Sequence, residues 1–181
     1  MAKTVGILAL QGGFEAHAKI LRRLGATPRE VRTEADLAGL DALIIPGGES
    51  TVMTLGIARE NLAEPLRALI GQGTPTLGTC AGMIMLDRDH LGMLDVRTER
   101  NAFGRQLHSF EADLEIQGQP IHAVFIRAPW VADVGADVEV LARVDEHPVA
   151  VRQGNVIAVA FHPELAGETH LHELLLSSNG R

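Results

Sequence analysis

The chain has 181 residues, 46% of them hydrophobic, and a formal net charge of −7. This size and hydrophobic content predict one domain over residues 1–181, and the acidic balance without a long Lys/Arg cluster argues against nucleic acid or an anionic membrane as partner. The chain has a single cysteine, which excludes an internal disulfide, and an N-terminus with neither a charged signal region nor a long apolar span, which favours a cytoplasmic location.

Strands and helices alternate along the first half of the chain. In chain order we predict a strand over residues 5–10, a helix over 14–24, a strand over 42–45, helices over 51–59 and 62–72, and a strand over 77–79. Such alternation is typical of an α/β fold with helices on both faces of a mostly parallel sheet. The predicted architecture is therefore a three-layer α/β/α arrangement with a mostly parallel central sheet.

The later part of the chain follows another pattern. Apolar and polar residues alternate over residues 108–116, which favours antiparallel strands at an edge of the sheet, and residues 121–128 continue that part. The continuous apolar run over residues 156–160 predicts a buried strand.

Cys80 lies in a Gly-x-Cys-x-Gly turn between the strand at 77–79 and an apolar helical run. A lone cysteine is most often a small buried hydrophobic residue. Here, however, Gly78 and Gly82 supply the small flanks that a tight nucleophile elbow requires. The turn also places the thiol at a helix N-terminus, where unpaired N–H groups and the helix dipole favour the thiolate.

A nucleophilic thiol needs a base and a group that orients the base, and the His162-Pro163-Glu164 sequence offers both. Side chains two apart in extended backbone point the same way, and Pro163 fixes φ between them. On its own, a single His-x-Glu sequence is at least as often an exposed strand end as part of a catalytic site. Together with the elbow it predicts a triad of Cys80 as nucleophile, His162 as acid and base, and Glu164 as orienting carboxylate.

A Pro-Gly-Gly turn follows the predicted strand at 42–45. Glycines without Cβ atoms let backbone N–H groups approach a ligand, so the N–H groups of Gly47 and Ala81 are candidate donors of an oxyanion hole. Ser50 or Thr51 is expected to cap the next helix. By itself such a turn is an ordinary strand-to-helix connection.

Six motifs then occur in a characteristic order: Ala9-Leu10-Gln11-Gly12, Pro46-Gly47-Gly48-Glu49-Ser50, Gly78-Thr79-Cys80-Ala81-Gly82, Arg100-Asn101-Ala102-Phe103-Gly104-Arg105-Gln106, Phe125-Ile126-Arg127-Ala128-Pro129 and Phe161-His162-Pro163-Glu164. Together they resemble the glutaminase subunits of pyridoxal 5′-phosphate synthase, within the class I, or triad-type, glutamine amidotransferases. The elbow and His-Pro-Glu are shared across that class, whereas the second, fourth and fifth motifs point to the subfamily. The resemblance spans residues 5–165.

The resemblance implies a class I glutamine amidotransferase fold and hydrolysis of L-glutamine to L-glutamate and ammonia. It further implies a heteromeric complex in which a synthase (lyase) subunit uses the ammonia to make pyridoxal 5′-phosphate, or vitamin B6; it implies no cofactor and no metal for this chain. The glutamine-binding positions carried over are Gly48, Glu49, Ser50, Arg105, Ile126 and Arg127. An arginine can grip the α-carboxylate, and Glu49 or backbone carbonyls could accept from the α-ammonium.

Two other readings stay open: a DJ-1-like cysteine hydrolase or chaperone, and a non-catalytic docking subunit with a relic site. The His-Pro-Glu sequence and Arg105 favour the amidotransferase over the first, and an intact triad favours it over the second. We add a gating hypothesis to the amidotransferase prediction. The Gly47 peptide can flip at low energetic cost, so the oxyanion hole could form only when the partner subunit docks.

Histidines outside the predicted triad receive structural interpretations. Glu15, His17 and Lys19 in the first helix are expected to form a solvated face, or else to dock a partner. His170 and His172 are two apart on a helix and point to different sides, and no further ligand motif accompanies them, so we predict no metal site.

Overall fold

The computed structural model describes residues 1–104 and 109–179. Its strands are β1 (Thr4–Leu8), β2 (Thr27–Val31), β3 (Ala42–Ile45), β4 (Thr76–Thr79), β5 (Val96–Glu99), β6 (Ser109–Ile116), β7 (Gln119–Ile126), β8 (Trp130–Val134), β9 (Glu139–Val144), β10 (His147–Gln153) and β11 (Val156–Val159). Its helices are α1 (Phe14–Arg23), α2 (Ser50–Arg59), α3 (Ala63–Gly71), α4 (Ala81–Leu86) and α5 (His170–Ser177), with a 3-10 helix at Glu34–Leu37. None of the helices in these two ranges is both long and apolar enough to cross a membrane.

The central sheet has seven strands in the order β2-β1-β3-β4-β11-β10-β9. The first five pair in parallel, and β10 and β9 close one edge in antiparallel fashion. Strands β3, β4 and β11 are buried along their whole length, as expected for parallel strands that are covered on both faces. The predicted α/β class, with a mostly parallel sheet and antiparallel edge strands, is confirmed.

Helices cover both faces of this sheet. Strand β2 lies on one side of β1 in the sheet, whereas β3 and then β4 lie on its other side, so the direction of the connections reverses after β2. Because parallel crossovers are right-handed, this reversal places α1 on one face and α2 and α3 on the opposite face. The packing of α4 against α2 and the contact between α5 and α1 extend these two layers.

The hairpin of β6 and β7 departs from the predicted arrangement. It forms a two-stranded sheet of its own, and β9 and β10, rather than residues 108–128, supply the antiparallel edge of the central sheet. Alternation predicts a strand with one buried face but does not say which strand lies beside it. The hairpin packs through Phe125, which stacks on Phe110 at 4.5 Å and contacts Phe161 at 5.5 Å between ring centroids.

The reversal of strand order between β1 and β3 creates a crevice at the carboxyl ends of the strands. In α/β sheets such a switch point is where ligands usually bind. The loops that follow β1, β3, β4 and β11 all open toward this edge, and they carry Gln11, Gly47, Cys80 and His162. The fold therefore gathers the sequence motifs at one place.

Candidate active site

Cys80 occupies a tight elbow between β4 and α4. Its φ of 50° and ψ of −111° are unusual for a residue with a side chain. A Cβ on Gly82 would overlap the carbonyl oxygen of Ile45, and a Cβ on Gly78 would lie 2.8 Å from the carbonyl oxygen of Gly82. The two flanking glycines are therefore required by backbone contacts, as the elbow interpretation predicted.

His162 and Glu164 lie next to this elbow, just after β11. The Nδ1 of His162 and the Oε1 of Glu164 are 2.7 Å apart, and both side chains are largely buried. The backbone N–H of His162 donates to the carbonyl of Val124 at 2.8 Å, which ties the histidine to the β6–β7 hairpin. A Cβ on Gly47 would lie 2.6 Å from Cε1 of His162 and 3.3 Å from Cβ of Cys80. The predicted triad residues are thus brought together around Gly47.

The charges of this group favour an ion pair. Burial opposes protonation of His162, but hydrogen bonding to Cys80 and to Glu164 outweighs it and raises the pKa of His162 to about 10. Burial would raise the pKa of Glu164, but hydrogen bonding to His162 and the nearby His17 lower it. At neutral pH a protonated His162 therefore lies between the Glu164 carboxylate and the sulfur of Cys80.

The two candidate oxyanion donors lie on either side of Cys80. Ala81 is the first residue of α4, so its N–H is one of the four that have no acceptor within the helix. Gly47 lies in the loop after β3, and its carbonyl packs against Gly12, where a Cβ would overlap it. Gly12 has a φ of +77°, a conformation that glycine adopts without strain.

A pocket of about 380 Å³ opens beside the nucleophile. Its lining residues come from the loop after β3, the elbow, the segment after β5 and the end of β7: Gly48, Glu49, Ser50, Cys80, Ala81, Ile84, Arg100, Asn101 and Arg127. The size falls within the range of small-molecule sites, and the lining combines backbone groups with two arginines. Such a pocket can hold a small zwitterion with its side chain directed at the sulfur.

Four of the six glutamine-binding positions carried over from the resemblance line this pocket: Gly48, Glu49, Ser50 and Arg127. Ile126 contributes its carbonyl oxygen, which lies 3.8 Å from the Sγ of Cys80. Arg105 lies outside the described residues.

The helix cap beside the pocket differs from the prediction. Glu49, not Ser50 or Thr51, caps α2: its carboxylate accepts from the backbone N–H groups of Thr51 at 3.1 Å and Val52 at 2.9 Å. Those hydrogen bonds lower the pKa of Glu49. A cap needs an acceptor that can fold over the first N–H groups of the helix, and the Glu49 side chain is long enough to reach those of Thr51 and Val52. The carboxylate is therefore already engaged before any ligand binds.

Two pocket residues, Arg100 and Asn101, carried no predicted role. Arg100 donates to the hydroxyl of Thr51 at 3.2 Å and adds a positive charge beside Glu49. Both residues belong to the Arg-Asn-x-Phe-Gly motif, which is one of the six motifs on which the family resemblance rests. Nothing in its spacing, however, revealed that it folds over the elbow.

The predicted solvated face of α1 is wrong at His17. This side chain has no exposed surface, and it contacts His172 of α5 and the inner side of the triad. His172 is also fully buried. Residues two apart on a helix point to opposite sides, so His17 lies on the buried side of α1 with Ile20 and Leu21, whereas Glu15 and Lys19 are exposed. The solvated-face prediction failed because it grouped neighbours in sequence rather than residues three or four apart.

Residues 7–179 match the SNO glutamine amidotransferase family. The pyridoxal 5′-phosphate synthase subunit PdxT of Mycolicibacterium vanbaalenii is 51% identical to the chain, with 98% of each chain covered. The subunit of that name from Thermus thermophilus is 52% identical over 99% of this chain and 100% of its own.

The fold comparison agrees with these sequence matches. A crystal structure of a glutamine amidotransferase superimposes with a TM-score of 0.91 at 47% identity, and covers 95% of this chain and 96% of its own. Because the family match and the relatives both extend over nearly the whole sequence, the chain belongs to the SNO glutamine amidotransferase family.

Proposed function

We propose that the chain is the glutaminase subunit of a pyridoxal 5′-phosphate synthase and acts as one glutamine amidotransferase domain over residues 1–181. The observation that carries the proposal is the elbow thiol of Cys80 beside the His162–Glu164 pair, with Gly47 packed between thiol and imidazole. Relatives that are about half identical over nearly their whole length bear the name of this subunit. Family membership also favours this reading over a DJ-1-like hydrolase.

The proposed reaction is acyl transfer from the glutamine side chain. The Cys80 thiolate attacks the carboxamide carbon, and the N–H groups of Gly47 and Ala81 stabilise the oxyanion that forms. The C–N bond then breaks as the His162 imidazolium gives its proton to the departing nitrogen, which leaves as ammonia. Neutral His162 next takes a proton from water, whose oxygen attacks the thioester, and glutamate leaves with Cys80 restored as thiolate.

The pocket supports the choice of glutamine as substrate. The free amino acid offers an α-carboxylate, which Arg105, Arg127 or both would bind in forked geometry. Arg100 lines the pocket together with Arg127 and adds positive charge there. Since the Glu49 carboxylate caps α2, we assign the α-ammonium mainly to backbone carbonyls, with Glu49 as a charge nearby. Gly48, Ser50 and Ile126 complete the proposed binding site.

Ammonia released into water is lost, so the proposed partner is the synthase (lyase) subunit of a heteromeric complex that receives it through a channel. The proposal gives this chain no cofactor of its own. A thiolate nucleophile works in a reducing compartment, and we therefore propose the cytoplasm as its location.

The test is release of ammonia and glutamate from L-glutamine by the purified chain, alone and mixed with the synthase subunit. We expect turnover by the wild type and none by Cys80→Ala, since the nucleophile is lost while a small residue keeps the elbow packed. A Gly71→Ala variant at the end of α3, away from the elbow and the pocket, serves as a control that should keep the wild-type rate. Absence of wild-type turnover under both conditions would favour a docking subunit with a relic site.

A further inference from the structure

Two buried histidines lie behind the proposed triad, on the side away from the pocket. His17 of α1 and His172 of α5 both have no exposed surface. The Nδ1 of His17 and the Nε2 of His172 are 2.9 Å apart, a hydrogen-bond distance between two different helices. Buried imidazoles that pair with each other, rather than with solvent, are unusual and call for a specific reason.

The second ring nitrogen of His17 faces the catalytic group. Its Nε2 lies 3.5 Å from the Oε2 of Glu164 and 3.4 Å from the hydroxyl of Thr79, the residue just before Cys80. The other oxygen of Glu164, Oε1, belongs to His162. Over residues 1–104 and 109–179, Oε2 has no hydrogen-bond partner within normal geometry. A buried carboxylate oxygen needs a donor, and His17 is positioned to supply it.

The contacts favour one placement of the protons on the two rings. If His17 holds its proton on Nε2, it donates toward Glu164 and accepts at Nδ1 from the Nε2–H of His172. The opposite assignment would turn the bare Nε2 lone pair of His17 toward a carboxylate, which is repulsive. Two weak contacts favour that opposite assignment: the Thr79 hydroxyl, which could donate to a bare Nε2 at 3.4 Å, and the Glu168 carbonyl, whose effect on the pKa of His172 is the smallest among its causes. Within the described ranges the Nδ1 of His172 has no hydrogen-bond partner of good geometry.

Both rings are kept neutral by their surroundings. Burial lowers the pKa of His17 by more than the negative charge of Glu164 raises it, and the positive charge of His162 lowers it further. Burial likewise lowers the pKa of His172, to about 3, and the neighbouring His17 adds to this. A neutral donor can hold a carboxylate without contributing a second positive charge that would compete with the His162 imidazolium.

We infer that His17, itself held by His172, is a positioning residue that fixes the Glu164 carboxylate and, through it, the His162 ring. This inference rests on the proposed glutaminase function. The Nε2–H of His17 restrains rotation of the carboxylate, so that Oε1 stays on Nδ1 of His162 and the other ring nitrogen stays directed at Cys80. The 3.5 Å distance is long for a hydrogen bond, and we expect it to shorten when substrate binds, as catalytic contacts often do.

The activity test compares His17→Leu with His170→Leu. Both replace a histidine on a helix by an apolar residue, but among the described residues His170 makes no contact with Glu164. We expect His17→Leu to lower kcat by about 10- to 100-fold, by analogy with the loss found when the outer partner of a metal-binding histidine is removed, with KM changed less than about twofold. We expect His170→Leu to keep both values.

The pH profile separates positioning from general damage. Three titratable groups act on Glu164: His162 beside it, His17 from α1 and His172 from α5. Loss of the His17 donor disfavours the ionised carboxylate, so the pKa of Glu164 rises and the acid limb of the kcat/KM profile moves to higher pH. A conservative His17→Gln variant keeps an N–H donor near the Nε2 position and should recover part of kcat and return the acid limb toward the wild type.

Two measurements do not depend on turnover. Nitrogen-15 NMR of the full-length chain should show the His17 proton on Nε2 and the His172 proton on Nε2. Cys80 is the only cysteine, so alkylation by iodoacetamide reports this site alone, and it should be slower near neutral pH in His17→Leu than in the wild type.

Wild-type kcat and an unmoved acid limb in a folded His17→Leu protein would overturn the inference, as would a His17 proton on Nδ1 together with unchanged alkylation. If the wild type itself released no ammonia, the proposed function would fail, while NMR and alkylation would still decide whether His17 positions Glu164.

Discussion

At the scale of single residues, the elbow shows how closely backbone contacts restrict the sequence. Cys80 adopts a positive φ, and the glycine two residues later packs against the carbonyl of Ile45 on the neighbouring strand. A backbone carbonyl at the end of a fully buried central strand cannot move aside as the end of a flexible side chain can. The Gly-x-Cys-x-Gly pattern is informative because each glycine avoids a clash that a Cβ atom would make with the backbone.

This contact gives a prediction for Gly82→Ala. The added methyl group would overlap the Ile45 carbonyl, so we expect the free energy of unfolding to fall by about 1–3 kcal/mol, the usual range for overpacking. Glutaminase activity should fall as well, since the elbow must shift to relieve the overlap. Urea unfolding and glutamate release on the same samples provide the measurements.

The matched control for Gly82→Ala is Gly71→Ala, at the end of α3. There the nearest atom to the new methyl group is Cε of Met93 at 3.9 Å, an ordinary contact. We expect Gly71→Ala to leave activity unchanged and stability equal or higher by up to about 1 kcal/mol. A Gly82→Ala protein that behaved like this control would contradict the close packing of the elbow.

At the scale of elements, the predicted strands and helices that supply the site begin and end within two residues of the observed ones. Strand β3 over residues 42–45 matches in full, and α2 starts one residue earlier than predicted, because Glu49 caps it. The hairpin of β6 and β7 was predicted as strands but placed at the wrong position. Period-2 alternation defines which face of a strand is buried, while the identity of its neighbour depends on distant segments.

The contact between α1 and α5 predicts that stability depends on pH. Because the folded-state pKa of His172 lies near 3, below the ordinary 6.5, the unfolded chain binds this proton more readily, and the free energy of unfolding falls as pH falls from 6.5 toward 3. At pH 5 the loss due to His172 should be about 2 kcal/mol, at 1.36 kcal/mol per pH unit below 6.5. His17 acts in the same direction.

Urea unfolding at pH 7 and pH 5 measures this loss. His172→Gln keeps a donor but cannot titrate, so its stability should drop less between the two pH values, by about the His172 contribution of 2 kcal/mol. A His170→Gln control on the same helix should behave like the wild type. Equal pH dependence in wild type and His172→Gln would refute the assignment of this loss to the α1–α5 contact.

At the scale of the whole molecule, the carboxyl ends of four parallel strands bring together segments that are far apart in sequence. The loops after β1, β3, β4 and β11 form the site, and the segments after β5 and β7 complete its pocket. All of them depend on the strand order of the sheet, since a parallel sheet places the ends of its strands at one edge. Docking of a partner on this edge would therefore reach the catalytic groups directly.

The gating hypothesis predicts activation by the partner. If the Gly47 N–H joins the oxyanion hole only on docking, the isolated chain lacks one donor, and loss of one such donor costs about 10²- to 10³-fold in kcat. Addition of the synthase subunit should then raise glutaminase kcat by about 10²- to 10³-fold. The Cys80→Ala protein with partner gives the background. Comparable rates with and without the partner would exclude the gate.

The sequence by itself determined the fold class, the nucleophile with its histidine and carboxylate, and the family. These features are local: a tight turn needs glycines beside Cys80, a buried parallel strand is a continuous apolar run, and His162 and Glu164 are two residues apart. Their spacing therefore carries the information directly.

Only the tertiary structure decided the features that join distant segments. It placed Arg100 over the pocket, engaged the Glu49 carboxylate as a helix cap, separated the β6–β7 hairpin from the central sheet, and brought His17 against His172 and Glu164. Helical periodicity gives the angle of a side chain around its own axis, but not which neighbour covers that angle. Helical spacing puts His17 on the same side of α1 as Ile20 and Leu21, so its burial follows from a local pattern. Its partner His172 lies 155 residues further along the chain, so no local pattern could reveal that pair.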